Sequence, residues 1–435
     1  MGYSVWNAMD NNLNLDCDLL IIGAGMAGMA ASLFAGNRNI KTVQVGIASE
    51  IIFASGLLDL MGVHPVANGT VTRDPWQGIE DLCGDIPNHP YAKIPPATIH
   101  DAFEELVAFF NASGLGYVRH ERQNAFVLTP AGTTKPSYYV PRTMWNGVLA
   151  LESRKPCLIV DIDGLKGFSA RQITSSFELT WPGLTHATIS FPGSSSQSEV
   201  YLEPLARSLV IPRNRKSLAD ALRPQLKHAH SLGMPAVFGI QNAHKILSDI
   251  ENRVGVPMFE IPTMPPSIPG LRIKEAFESN LPARNVRRLF QNRVTGVQRK
   301  GKAFVVQMGD SSPETVIRAR GIVLASGRFL GKGLSADRKR IRETIFDLPV
   351  HQPEERNEWH CYDFLDPAGH PVNRAGLVTD DRFRPLDRSG NIAHEHLFAA
   401  GSILAHQDWM RQKCGSGLAV ATAYAAVKAF QELTL

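Results

Sequence analysis

Three features of the sequence predict an α/β protein. Near the N-terminus, an apolar run and three closely spaced glycines precede a stretch of small residues, which indicates a strand, a tight turn and a helix. A second apolar run near residue 323 ends in a small-residue turn, and a third near residue 397 leads towards a helix of small residues. Strands that alternate with helices in this way favour a parallel sheet. We therefore predict a Rossmann-like domain of the FAD/NAD(P)-binding type, interrupted by an inserted α+β capping domain.

The N-terminal run reads LLIIGAGMAG over residues 19–28 and contains the pattern G-x-G-x-x-G. Gly23 permits a sharp turn, Gly25 leaves room for a pyrophosphate beside the backbone, and Gly28 allows the helix to pack closely on the strand. The helix begins at Met26 and Ala27, and its free N–H groups and positive dipole end would face a phosphate. The pattern predicts nucleotide binding. The alternative is a glycine turn that only packs a βαβ unit.

The second strand, at residues 41–45, lacks one expected feature. A fingerprint of this kind usually ends its second strand with Asp or Glu, which binds the ribose hydroxyls of the adenosine. Gly46 occupies that position, and Glu50 is an acidic substitute only if the chain turns back. The sequence thus weakens the case for an adenosine bound in the ordinary way, while a phosphate at the helix start is unaffected.

The two later segments indicate which nucleotide is bound. A strand that ends at Ala325, Ser326 and Gly327 is typical of the return to the nucleotide domain in two-domain flavoproteins. A second segment, Gly401-Ser402, precedes a helix that begins at Gly415, Ser416 and Gly417 and whose N–H groups suit the pyrimidine edge of a flavin. Ser55 and Gly56 follow the second strand, where flavin contacts or a helix N-cap are equally expected. The ordered set predicts a flavin, FMN or FAD, bound non-covalently.

Composition excludes several other classes of protein. The 435 residues carry a formal net charge of +4 and are 44% hydrophobic, which suits a globular chain and gives no sign of a nucleic-acid partner. The five cysteines are scattered, with no pair at metal-ligand spacing, so no metal or iron–sulfur centre is predicted.

The sequence gives no sign that the chain itself enters a membrane. The first 18 residues contain no Lys or Arg, so they do not have the pattern of a secretory signal. Residues 19–36 form an uncharged stretch long enough to span, but their glycines favour the strand, turn and helix described above.

Several longer segments carry a resemblance to a known family. The chain resembles the B-subunit family of anaerobic glycerol-3-phosphate dehydrogenase, within the fumarate reductase-like flavoproteins. The matching segments extend from residue 19 to about residue 430: IIGAGMAG (21–28), FASGLLDL (53–60), FEIPTMPPSIPGLR (259–272), VLASGRFLGKGL (323–334), GLVTDDRFRP (376–385) and the C-terminal FAAGS and CGSG.

This resemblance implies a flavin-dependent, quinone-linked enzyme that oxidises sn-glycerol 3-phosphate, a polyol phosphate, to dihydroxyacetone phosphate. It also implies two partners, a flavin-bearing A subunit with an iron–sulfur C subunit, and association of the B subunit with FMN. Through those partners the chain would lie at the cytoplasmic face of the membrane. Two alternatives stay open: another flavin-dependent dehydrogenase or reductase, or a non-catalytic flavin or scaffolding subunit.

The reaction implied by the resemblance requires a cationic clamp for a phosphate dianion and a base for the hydroxyl proton. Arg328 and Arg384 are the candidate cations, because each adjoins a flavin-type segment, and His406 is the candidate base. The weaker candidates are Lys332, Arg382 and His351. Arg272 is expected to form a surface salt bridge or, alternatively, to reach the flavin face.

We predict a discontinuous domain organisation. The nucleotide domain comprises residues 1–90, 155–260 and 315–435. The capping or substrate domain comprises residues 91–154 and 260–315, with residues 294–308 as a pair of strands.

Overall fold

The structure, a computed structural model, describes residues 14–47, 50–193, 199–290, 293–309 and 315–434, so most of the N-terminal segment lies outside the described residues. Its strands are β1 (Asn14–Ile22), β2 (Thr42–Gly46), β3 (Tyr117–Val118), β4 (Ala125–Leu128), β5 (Thr134–Ser137), β6 (Val140–Pro141), β7 (Cys157–Ile162), β8 (Leu184–Ile189), β9 (Ser231–Pro235), β10 (Met258–Ile261), β11 (Val286–Phe290), β12 (Val294–Lys300), β13 (Ala303–Met308), β14 (Thr315–Leu324), β15 (Leu334–Ala336), β16 (Ile341–Glu343) and β17 (Leu397–Ala399). Its α-helices are α1 (Met26–Asn37), α2 (Pro75–Asp85), α3 (Pro96–Ala112), α4 (Arg142–Ser153), α5 (Ala170–Ser176), α6 (Leu202–Ser208), α7 (Pro212–Leu222), α8 (Ala243–Val254), α9 (Ile268–Asn280), α10 (Trp409–Gln412) and α11 (Gly415–Thr434).

The main sheet has the strand order β11-β2-β1-β14-β13-β12, and β17 pairs with the C-terminal half of β14. Strands β11, β2, β1, β14 and β17 run parallel, and the buried apolar ends of β1 and β14 and the buried strand β17 are typical of such a sheet. Ile22 pairs with Leu324, which in turn pairs with Ala399. Strands β1, β14 and β17 therefore end side by side, at the edge of the sheet where open α/β folds bind their ligands. The predicted α/β fold is confirmed.

Helix α1 lies against this sheet and is buried on nearly every side. Its residues from Ala27 to Gly36 are all buried, which explains why it is apolar all round rather than amphipathic. It packs against α11, where Phe34 meets Tyr424 edge to face with ring centroids 5.0 Å apart. The uncharged stretch at residues 19–36 is thus a buried strand, turn and helix, as predicted.

A second, four-stranded parallel sheet has the order β10-β9-β7-β8. It has its own core, which includes Leu158, Val160, Met234 and Phe238. Among the described residues, no strand of this sheet pairs with the main sheet.

This arrangement corrects the predicted domain boundaries. Residues 155–260, which we placed in the nucleotide domain, contribute the strands β7 to β10 of the second sheet. Strands β11, β12 and β13, which we placed in the cap, belong to the main sheet, because β11 pairs with β2 and the antiparallel strands β12 and β13 extend from β14. A short apolar run identifies a strand but not the sheet that it joins, since its partner lies far away in the chain. The predicted pair of strands at 294–308 is present as β12 and β13.

Candidate cofactor site

The turn between β1 and α1 brings two strand ends into close contact. Gly23 has φ +141°, and a Cβ at this position would lie 2.0 Å from the carbonyl oxygen of Ala325. The Ala325 N–H donates to the carbonyl of Ile22 at 2.8 Å. Only glycine fits here, so the predicted segments around residues 23 and 325 lie against each other.

Gly28 allows α1 to approach this turn. A Cβ on Gly28 would lie 2.2 Å from the carbonyl oxygen of Gly23. The same oxygen accepts a hydrogen bond from Nε2 of Gln44 at 2.9 Å, which ties the end of β2 to the turn. The close helix–strand packing expected of the third glycine is therefore present.

Gly25 has the opposite surroundings. No atom lies within 4 Å of a Cβ built on it, and as the N-cap of α1 it provides no side-chain hydrogen bond to the helix N–H groups. A helix start that is open and lacks a side-chain cap is a suitable site for a phosphate. The turn thus fits the phosphate portion of a flavin nucleotide.

The position next to this turn at the end of β2 has no carboxylate. A Cβ on Gly46 would lie 3.0 Å from both the nitrogen and the Cβ of Ala24, so a larger residue would press on the glycine turn. The proposed substitute, Glu50, has its side chain outside the described residues. The described residues therefore place no acid where the adenosine ribose would ordinarily be bound.

The segments that follow β14 and β17 complete the same edge. The hydroxyl of Ser326 is buried and, among the described residues, has no hydrogen-bond partner, as expected of a group that awaits a ligand. Gly401 has φ +79°, donates its N–H to Oγ1 of Thr422 at 2.8 Å, and would place a Cβ 2.7 Å from that of Ala27. Ser402 Oγ lies 3.8 Å from the position of a Cβ on Gly327.

The start of α11 packs against residues 55–60. The Gly417 N–H donates to the carbonyl of Asp59 at 2.7 Å, and Oγ of Ser416 accepts from the Asp59 N–H at 2.6 Å. The Asp59 carboxylate pairs with Lys135 at 2.6 Å. The N–H of Gly415, the first predicted cofactor residue of this helix, donates no hydrogen bond within the described part of the chain.

Ser55 and Gly56 lie in an irregular segment just before this contact. Ser55 caps no helix: its hydroxyl accepts a hydrogen bond from the Leu57 N–H at 3.4 Å, so the N-cap alternative is wrong. Gly56 has φ +85°, and its carbonyl accepts from the hydroxyl of Tyr117 at 2.8 Å.

Comparisons with known proteins give matches along nearly the whole length of this chain. A family model described as FAD binding domain matches residues 18–418. A solved 3-ketosteroid delta1-dehydrogenase from Sterolibacterium denitrificans matches 96% of this chain and 100% of its own at 9% identity and a TM-score of 0.43. The B subunit of an anaerobic glycerol-3-phosphate dehydrogenase from Yersinia pestis is 28% identical over 93% of this chain and 96% of the relative. A probable B subunit of the same enzyme from Halobacterium salinarum is 31% identical over 96% of this chain and 98% of the relative. The chain belongs to this B-subunit family of glycerol-3-phosphate dehydrogenases.

Family membership confirms three predictions: the family itself, the flavin-dependent dehydrogenase class and the flavin cofactor. The relatives are named as subunits, so members of this family act in a complex of several chains. No helix in the described part of the chain is long and apolar enough to cross a bilayer. Within the same residues, no group of three His, Cys, Asp or Glu side chains could hold a metal ion.

Both arginine candidates are engaged by neighbouring groups. The Arg328 guanidinium donates to the carbonyls of Val372, at 2.6 Å, and of Asn373. Burial lowers its pKa, and its Nε has no partner among the described residues. Arg384 binds the Asp380 carboxylate at 2.8 Å and 2.7 Å. Neither guanidinium is free to form a bidentate phosphate clamp as it stands.

His406 has different surroundings. Its backbone has φ +64°, a conformation that is uncommon outside glycine and is often found at functional sites. Its ring lies against that of His351, with centroids 4.2 Å apart, so the structure brings together the two histidines predicted from the sequence. Burial, then the neighbouring His351 and Lys93, lower the pKa of His406 to about 4. Lys93 was missed, because the sequence around it contains no recognisable motif.

Arg272 is buried rather than at the surface. It is 5% exposed and forms a two-bond ion pair with Glu260, with both distances 2.6 Å, while its Nε donates to the carbonyl of Gly239. Arg272 holds the pKa of Glu260 below its usual range, although burial acts in the opposite direction. The predicted surface salt bridge is wrong: the pair joins α9 to β10 inside the molecule.

Proposed function

We propose that this chain is the B subunit of a quinone-linked anaerobic glycerol-3-phosphate dehydrogenase and takes part in oxidising sn-glycerol 3-phosphate to dihydroxyacetone phosphate. The observation that carries the proposal is the full-length match to B-subunit relatives, joined to an open glycine turn at the carboxyl edge of the sheet. The proposed partners are a flavin-bearing A subunit with an iron–sulfur C subunit, through which the chain would reach membrane quinone at the cytoplasmic face.

The flavin contacts follow from the same edge of the sheet. We assign the phosphate portion to the open start of α1 and the ring system to the segments after β14, β17 and the start of α11. The residues in this proposal are Gly23, Gly25, Met26, Ala27, Gly28, Ser55, Gly56, Ala325, Ser326, Gly327, Gly401, Ser402, Gly415, Ser416 and Gly417.

A flavin held by these segments would supply a hydride acceptor for the oxidation at C2 of the substrate. The residues of this chain would then bind the phosphate and orient the C2 hydroxyl. Of the predicted catalytic candidates, Arg328 and Arg384 are held by neighbouring groups. His406 has no hydrogen-bond partner for its ring among the described residues, so we retain it as the candidate that contacts substrate.

The test is anaerobic reduction of the flavin-loaded protein by glycerol 3-phosphate, followed at the flavin absorbance band with and without the partner subunits. Bleaching by this chain alone supports the proposal and refutes a purely scaffolding role. Bleaching only with the partners supports the proposal for the complex. If neither sample bleaches, the proposal is wrong. Acid release and chromatography of the cofactor distinguish FAD from FMN, and a protein that takes up no flavin would contradict the assignment as a whole.

A further inference from the structure

A group of polar and basic side chains lies beside the proposed flavin segments. His406 lies in the loop that joins Ser402 to the start of α11, while Lys93 ends the 3₁₀ helix Pro90–Lys93, which packs on α11. His351 and Thr379 come from two further segments. No motif in the sequence predicts that these four residues lie together.

The backbone holds three of these segments side by side. Leu377 and Leu404 form a parallel bridge, and Thr379 and His406 each lie two residues further along. At His406 the chain leaves this register, because its φ is +64° and its N–H donates to the carbonyl of Arg374 at 3.0 Å. Lys93 links the two segments instead: it donates to Thr379 and lies near enough to lower the pKa of His406. The His351 N–H donates to the carbonyl of Gly376 at 2.8 Å, which places His351 on the other side of the same segment.

The side chains in this group have unused hydrogen-bonding capacity. Lys93 donates to the carbonyl and, at 3.2 Å, to the hydroxyl of Thr379, which leaves one of its three ammonium donors. The Thr379 hydroxyl accepts that bond, so its own hydrogen is available, although the residue is only 6% exposed. Neither imidazole ring, of His351 or of His406, has a hydrogen-bond partner among the described residues.

The charges around the group also favour an anion. In the described part of the chain, no acidic side chain lies within ion-pair distance of Lys93. Asp380 and Asp381 interact with the Lys93 charge electrostatically, but from beyond ion-pair distance. Asp380 already forms an ion pair with Arg384 at 2.7 Å. Lys93 therefore presents a positive charge that no neighbouring carboxylate directly neutralises.

We propose that Lys93, Thr379, His351 and His406 form a binding site for a phosphate group, the dianionic end of a polyol phosphate substrate. This inference rests on the proposed function for the identity of the substrate. The ammonium and hydroxyl donate to the phosphate oxygens, and each imidazole donates through one ring N–H when neutral and gains a second donor and a positive charge when protonated. The site adjoins the loop that leads from Ser402 to α11, which keeps the bound group next to the proposed flavin position.

The proposal predicts that anion binding is coupled to proton uptake. Without an anion, burial keeps the pKa of both imidazoles below the usual value, and Lys93 and His351 lower that of His406 further. His89, which is held neutral, also lies close enough to interact with His406. Arg374, whose carbonyl accepts a hydrogen bond from the His406 N–H, is exposed. The negative charges of Asp380 and Asp381 raise the pKa of Lys93, against the effect of its burial. A bound dianion would raise the pKa of both imidazoles again. The affinity of the site for the dianion should therefore rise as pH falls below the ordinary histidine pKa of about 6.5.

The experiment measures binding of sulfate and of inorganic phosphate to the flavin-loaded protein by titration calorimetry between about pH 5 and pH 8, a range in which histidines change charge. Sulfate keeps its double charge throughout, so any pH dependence comes from the protein. We expect Lys93→Met to lower the affinity for both ions about 10-fold or more, because one charge-assisted hydrogen bond is lost. In His351→Gln/His406→Asn, the rise in sulfate affinity at low pH should disappear; Asn tolerates the backbone conformation of residue 406.

Two matched variants control for general loss of charge. Lys166→Met removes a lysine that pairs with Glu199, and His120→Gln removes a histidine that pairs with Glu152. Each of these two variants should bind sulfate and phosphate as tightly as the unaltered protein does. Urea unfolding verifies that every variant is folded. Equal weakening in Lys93→Met and Lys166→Met, or no binding of either ion, would overturn the proposal.

A second measurement separates this inference from the proposed function. If glycerol 3-phosphate bleaches the flavin and Lys93→Met raises the half-saturating concentration about 10-fold or more, both stand. If bleaching occurs with an unchanged half-saturating concentration in Lys93→Met and His351→Gln, the phosphate site is wrong while the proposed function stands. If sulfate and phosphate bind here as predicted but glycerol 3-phosphate never bleaches the flavin, the site stands and the proposed function fails.

Discussion

Replacing Gly25 with alanine tests the proposed flavin cradle without disturbing the fold. Gly25 has φ −80°, which any residue adopts, and a Cβ there meets no atom within 4 Å. Alanine is a poorer N-cap than glycine, but it also restricts the unfolded chain, and these effects of about 0.5–1 kcal/mol oppose each other. The free energy of unfolding of the flavin-free protein should therefore change by less than about 1 kcal/mol.

The same methyl group would occupy the space that the cradle offers to a phosphate. Hydrogen bonds to charged groups are worth about 1.5–3 kcal/mol, so losing one weakens flavin binding about 10- to 100-fold. The assay titrates flavin-free protein with FAD and with FMN and follows the flavin fluorescence, while urea unfolding measures stability. Gly84→Ala in α2 is the control, because a Cβ there also meets open space.

Two results would refute the reasoning. If Gly25→Ala binds flavin as tightly as the unaltered protein, the phosphate does not lie beside this glycine. If the flavin-free variant loses more than about 3 kcal/mol of stability, the space is not open and the geometry of the turn is wrong, since a methyl group in open space at this φ offers no mechanism for so large a loss.

Three further predictions concern stability. Gly28→Ala should destabilise the protein with or without flavin, measured by urea unfolding, because its Cβ would lie 2.2 Å from the Gly23 carbonyl oxygen. Glu260→Gln should lower the free energy of unfolding by about 3–5 kcal/mol, measured by the same method, because it leaves the Arg272 charge buried and unpaired. The double variant Glu260→Met/Arg272→Met should recover part of that loss. Burial lowers the pKa of His89 to about 3, so the unfolded chain binds a proton that the folded one does not. The free energy of unfolding should thus fall as pH drops from about 6.5 towards 3. His89→Asn should flatten that slope; an unchanged slope would contradict it.

The glycine turn was predictable because several of its positions accept no residue other than glycine. A Cβ on Gly23 would collide with the end of the adjoining strand, and a Cβ on Gly28 would collide with the turn itself. The spacing of the glycines in the sequence therefore indicates the turn. The same argument explains Gly401, whose position beside Ala27 requires a residue without a side chain. Such positions are identified by the one residue type that fits them.

The sheet assignments were not predictable in this way. Strand β11 contains Arg287 and Arg288, so it lacks the apolar run that marks a buried parallel strand, yet it pairs with β2 at the edge of the main sheet. The burial of Arg272 had a weak signal in Glu260, a carboxylate within an apolar strand. A charge in such a strand requires a partner, and the first cation after Glu260 along the chain is Arg272, beyond the proline-rich loop.

The two halves of the proposed site differ in what they are made of, and this makes them separable by experiment. The flavin cradle depends on backbone N–H groups and on glycines that leave space for a ligand, whereas the phosphate site depends on Lys93, Thr379 and two histidines from separate segments. Lysine and histidine are common on protein surfaces, so their identity alone carries little information until the fold places them together. Gly25→Ala should then remove flavin while sulfate still binds, and Lys93→Met should weaken sulfate while flavin still binds. A variant of either kind that abolished both would mean that the two ligands share one site.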